Sequence, residues 1–72
     1  MREYLKNARK SMNLTQKDVA LFLGISQNYY GYIENGIRQK KIKVDTLIGL
    51  SEVLQIPISD MLHYENTYSK ED

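Results

Sequence analysis

The 72 residues contain no cysteine, which removes disulfides and the common zinc sites, and nothing in the chain points to an oxidising compartment. His63 is the single histidine, with no second ligand at metal spacing, so neither a metal nor a cofactor is expected. Long hydrophobic runs are missing as well. The longest unbroken apolar stretch is VALFL at 19–23, far short of the ~20 residues that span a bilayer. The opening MREYLKNARK carries four basic residues and no apolar stretch after them, so it does not read as a secretory signal. Serine, histidine and aspartate all occur, but no nucleophile-elbow or phosphate-loop glycine pattern frames them, and an enzyme is not expected. No repeat, low-complexity segment or strand-like alternation is present. What remains is a soluble, cytoplasmic domain, small enough to bury only roughly 60% of its unfolded surface, which efficient helix packing must stabilise.

Charge is present but unevenly placed. Residues 1–43 hold nine Lys/Arg against three acids (Glu3, Asp18, Glu34), and residues 44–72 hold one Lys against six acids. The halves are therefore +6 and −5 within a net charge of +1. One end should attract a polyanion that the other end repels.

Periodicity and capping residues divide the chain into five helices. Tyr4, Leu5, Ala8 and Met12 recur at helical spacing and predict a helix over about 2–12, which Asn13 can end before Leu14 drops into the core. Thr15 and Asp18 form a capping-box pattern for a helix over 16–23, with Val19, Ala20 and Leu23 inward and Gly24 as its C-terminal glycine. Ile25 is a core candidate, and Ser26 is the N-cap of a helix over 27–35 that stops at Asn35-Gly36. IRQKKIK (37–43) is a basic loop. Leu47, Leu50 and Leu54 share a stripe on a helix over 44–54, and Pro57 breaks it. ISDML predicts a short helix over 58–62. Residues 1–62 thus form an all-α domain, and 63–72 read as a polar, frayed tail.

The third helix, inside SQNYYGYIENG (26–36), has an unusual outer face. Tyr30 and Ile33, with Ile25 before and Ile37 after, make its inward stripe. Gln27, Asn28, Gly31, Tyr32 and Asn35 share the opposite side, and Tyr29 lies at the boundary. That face carries amides, a phenol and a glycine, and no charge. A merely solvated face would more typically hold Lys and Glu, and alanine in place of Gly31, because glycine costs ~1 kcal/mol in a helix interior. The face is suited to close approach to something rich in hydrogen-bonding edges. Two helices joined by a short turn containing Gly24, the second presenting such a face, describe a helix-turn-helix, whose second helix enters the major groove of DNA.

LTQKDVALFLGIS…YYGYIENG followed by VDTLIGLSEVLQIPISDML resembles the lambda-repressor/Cro family of helix-turn-helix DNA-binding domains, over residues 5–62. The resemblance implies a compact five-helix fold and a set of roles. Gln16 matches a glutamine that bonds a phosphate and braces the recognition helix. Gln27, Asn28 and Tyr32 match positions that touch bases or their flanking phosphates, with Gly31 clearing space beside them. Asn35 matches a backbone clamp, and Ser26 joins the phosphate contacts at the helix start. Arg9 and Glu34 match a structural ion pair between helices 1 and 3. The 36–44 connection is longer and more basic than many members have, which adds Arg38, Lys40, Lys41 and Lys43 as phosphate contacts.

The function this implies is sequence-specific binding of double-stranded DNA by a small transcriptional regulator, a repressor acting as a homodimer on a palindromic operator. The acidic helices 4 and 5 and the tail would face away from DNA and carry the dimer contact. Alternatives are a DNA-binding antitoxin, a restriction-modification controller, or a protein-interaction module that keeps the fold without binding DNA. Leu21 and Phe22 are apolar where the family is frequently polar. They fit packing against helix 1 or the tail, or a place in an interface.

Overall fold

The computed structural model describes residues 1–36 and 41–70, the last three of these as backbone only. The described residues form five α-helices: α1 Glu3–Ser11, α2 Gln16–Leu23, α3 Gln27–Asn35, α4 Val44–Leu54 and α5 Ile58–Lys70. No strand occurs among them.

Local chemistry sets most of the boundaries. The Thr15 hydroxyl accepts from the Asp18 N–H at 3.1 Å while the Asp18 carboxylate accepts from the Thr15 N–H at 2.9 Å, so two of the unpaired donors at the start of α2 are satisfied reciprocally. Gly24 ends α2 at φ +71° and Gly36 ends α3 at φ +72°, the left-handed backbone that glycine adopts without a Cβ clash. Between them the Ser26 hydroxyl accepts from the Tyr29 N–H at 3.1 Å and caps α3. α4 ends differently: Gln55 itself takes φ +55°. Here the Ser51 hydroxyl donates to the Ile56 carbonyl at 2.6 Å, while the Ile56 N–H returns to the Ser51 carbonyl at 3.1 Å.

The core draws on every helix: Leu5; Val19 and Ala20; Tyr30 and Ile33; Leu47, Leu50 and Leu54; and Met61. α2 packs on both α3 and α4, α1 crosses α3 and α4, and α5 lies against α4. α2 and α4 approach closely at Gly49, where an added Cβ would sit 2.6 Å from Leu23 Cδ2. Met12, expected inward, is half-buried, and Ile37 lies outside the described residues. Leu21 and Phe22 stay 70% and 58% exposed. Phe22 borders a shallow cleft with Asp45 and Gly49 of α4.

One expectation is corrected. The last helix does not stop at residue 62 but continues to Lys70. The Tyr64 ring stacks on Tyr4 with centroids 4.7 Å apart and planes 14° from parallel, and Glu65 receives bonds from both Tyr4 and Arg2. Aromatic stacking and charged hydrogen bonds therefore hold this part of α5, and an apolar periodicity gives no sign of them. α1 is also shorter than expected, with Arg2 and Met12 serving as its caps.

Candidate nucleic-acid interface

α3 presents two contrasting faces. Tyr30 and Ile33 are buried, whereas Gln27, Asn28 and Asn35 are exposed, with Gly31 and Tyr32 half-buried among them and Tyr29 at the edge. Every residue expected to read bases thus lies on one outward strip. Gly31 is not there for want of room inside the protein. A Cβ built on it would meet only Gln16 Oε1, at 3.6 Å, an ordinary van der Waals distance. The side chain of Gln16, from the first turn of α2, therefore lies beside this strip.

Glu34 ties the helix-turn-helix together from behind. Its two carboxylate oxygens accept from Arg9 Nη2 and Nε, each at 3.0 Å, and Oε1 also accepts from Gln16 Nε2 at 3.3 Å. Arg9 Nη1 donates to the Leu14 carbonyl at 2.9 Å, so the same guanidinium holds the turn between α1 and α2. Glu34 is 2% exposed and Arg9 8%. Burial alone would raise the Glu34 carboxyl, but the hydrogen bonds from Arg9, and after them the nearby Tyr30 hydroxyl and the Gln16 amide, hold it below the usual carboxylate range. The bond to Glu34 in turn raises Arg9. The Tyr30 hydroxyl is buried beside this pair without a hydrogen bond of good geometry. Burial and then the neighbouring Glu34 charge push its ionisation well above the ordinary phenol range.

The expected phosphate-contacting residues are placed as follows. Gln16 is half-buried on α2, braced on Glu34, and Ser26 is exposed with its hydroxyl engaged in the α3 cap. Asn35 is exposed at the other end of α3, and Lys41 and Lys43 are exposed ahead of α4. Lys43 is the N-cap of α4 and makes no side-chain capping bond; a cation there opposes the helix dipole. Lys41 borders a cleft shared with Leu62 and Glu65 of α5. Arg38 and Lys40 lie outside the described residues.

Arg2 is the residue that sequence reasoning missed. It counts toward the basic half, yet it is 1% exposed and its Nε lies 3.0 Å from Glu65 of the acidic half. The outward positive field of the first half is smaller than its composition suggests. No local signal marks Arg2, because its partner lies 63 positions away.

Among the described residues, no helix is long and apolar enough to cross a membrane and no group of three or more His, Cys, Asp or Glu could hold a metal ion. The helix-turn-helix family profile matches residues 5–61. The uncharacterised HTH-type transcriptional regulator YqaE of Bacillus subtilis (strain 168) is 38% identical over 64 residues, which cover 89% of this chain and 53% of that protein. The chain thus spans about half the length of the curated relative it matches. No solved structure gives a significant match. With two helices joined at left-handed Gly24, an amide-bearing α3 and a family match that begins in α1 and ends in α5, the chain belongs to the lambda-repressor/Cro-type helix-turn-helix family.

Proposed function

We propose that this domain binds double-stranded DNA sequence-specifically, with α3 in the major groove, and acts as a small transcriptional regulator. The observation that carries the reading is Gly31. Internal packing leaves space for a Cβ there, and glycine costs a helix ~1 kcal/mol relative to alanine, so its use fits close approach of an external surface. Around it, Gln27 and Asn28 offer side-chain amides of the kind that pair bidentately with adenine edges. Gln16, Ser26, Asn35, Lys41 and Lys43 would fix the register on phosphates. The relative's description as a transcriptional regulator supports the same role.

Repression by occupancy of a palindrome as a homodimer is the simplest form of that role. Exposed Val44 and Ile48 on α4, and Ile58 and Leu62 on α5, supply apolar surface for the dimer contact on the acidic half. Selection of bound sequences from random duplex DNA with the purified protein tests the proposal. Enrichment of an inverted repeat, with two protein chains per bound duplex, is the expected result. Equal retention of all sequences would remove sequence specificity, and retention of none would favour the protein-interaction alternative, for which Leu21 and Phe22 supply exposed apolar surface.

A further inference from the structure

The C-terminal turn of α3 is completed by a residue that precedes α1, Arg2. The last carbonyls of a helix lack intrahelical donors and form the negative end of its dipole, and α3 has no basic residue in its last turn. The Tyr32 carbonyl is met by the Gly36 N–H at 2.8 Å. The next two are met by a single residue: Arg2 Nη1 donates to the Ile33 carbonyl at 2.6 Å, and the Arg2 backbone N–H donates to the Glu34 carbonyl at 2.7 Å. The Arg2 side chain is fully buried, and its Nε faces the Glu65 carboxylate at 3.0 and 3.1 Å. Tyr4 donates its hydroxyl to the same carboxylate while its ring stacks on Tyr64.

A buried guanidinium is tolerated only when paired and oriented. Glu65 supplies the charge, and it does so from the part of α5 beyond the expected helix end. Both Arg2 and Glu65 lie outside residues 5–61, the segment the family profile matches. The device is therefore additional to the helix-turn-helix itself.

We propose that Arg2 and Glu65 are positioning residues for α3: Glu65 orients the Arg2 guanidinium, which holds the C-terminal turn of the recognition helix in its DNA-binding pose. The proposal rests on the reading of α3 as the DNA-contacting helix. If docking of α5 and engagement of DNA are coupled in this way, the coupling is reciprocal. Releasing α5 lowers the fraction of molecules with α3 in place, and apparent affinity falls by that fraction. Duplex bound at α3 must in turn protect the backbone of residues 63–67.

The test compares wild type, Glu65→Gln and Tyr4→Phe in the full chain, at a temperature where melting curves show each folded. Glu65→Gln removes the charge with little change of shape, and Tyr4→Phe removes one donor to Glu65 while keeping the ring stack. Glu65→Gln should weaken binding to the selected duplex by about 5–30-fold, within the usual range of coupling between sites, and Tyr4→Phe should do so less. Amide exchange should quicken at Ile33–Gly36 more than at Val19 and Ala20, and duplex should slow exchange at residues 63–67. Unchanged affinity in folded Glu65→Gln, or a uniform rise in exchange, overturns the proposal by reducing the contact to general stability. If the wild type binds no duplex, the DNA reading falls, while selective loosening of α3 by Glu65→Gln still upholds the positioning role.

Discussion

Arg9 and Glu34 meet in a two-pronged ion pair between α1 and α3, with Nε and Nη2 each 3.0 Å from a different carboxylate oxygen. Because the pair is buried, removing one partner strands the other charge. Glu34→Ala should destabilise the domain by about 3–5 kcal/mol, a large share of what a domain this small possesses. Arg9→Met combined with Glu34→Leu should recover most of that. The residual loss, about 1 kcal/mol, reflects the Leu14 carbonyl deprived of its Arg9 donor. A double-mutant cycle by thermal melting measures the coupling, and additive single losses would mean the pair contributes nothing jointly.

Acid should weaken the fold through the same group. The Glu34 carboxyl is held below the usual range by its hydrogen bonds. That of Asp18 is lowered by the Thr15 N–H and hydroxyl in the capping box. A depressed folded-state value contributes stability above the ordinary carboxylate pKa, about 4.3 for glutamate. This contribution is lost as the pH falls from there through the folded-state value. Urea melts at successive pH values should therefore show stability falling below about pH 5. Glu34→Gln should start lower at neutral pH and show a shallower fall; an equal slope in both proteins would remove Glu34 as the cause.

Gly31→Ala separates stability from binding. The Cβ fits internally, so the helix should gain up to about 1 kcal/mol and the melting temperature should rise by roughly 4–8 °C. Affinity for the selected duplex should nevertheless drop at least about tenfold, equivalent to 1.4 kcal/mol. Gln27→Ala and Asn28→Ala should each cost about 1–3 kcal/mol on that duplex and little on random DNA. Equal losses on both duplexes would take these residues off the list of base readers.

Lys41→Ala and Lys43→Ala should weaken binding to all sequences alike. Each should reduce the slope of log K against log salt by about one unit. Melting should hardly change for Lys43→Ala, because that side chain makes no capping bond to α4. Slopes identical to wild type in both variants would return these lysines to plain solvation.

Where helices start and stop was legible in the sequence because the deciding contacts span only a few residues: Thr15 with Asp18, Ser26 with Tyr29, and the glycines at 24 and 36. The two faces of α3 were legible for a related reason, since a 3.6-residue period assigns Tyr30 and Ile33 to one side and Gln27, Asn28 and Gly31 to the other. The tertiary structure alone decided how far α5 runs, because Tyr64 and Glu65 are anchored by Tyr4 and Arg2 from the far end of the chain. It also decided that Arg2 is buried as a cap on α3, and that Gly49 lies where α2 and α4 come closest. These contacts join polar or small residues scores of positions apart or on separate helices. Their free energy comes from desolvated pairing and close backbone approach, which leave no periodic trace in the chain.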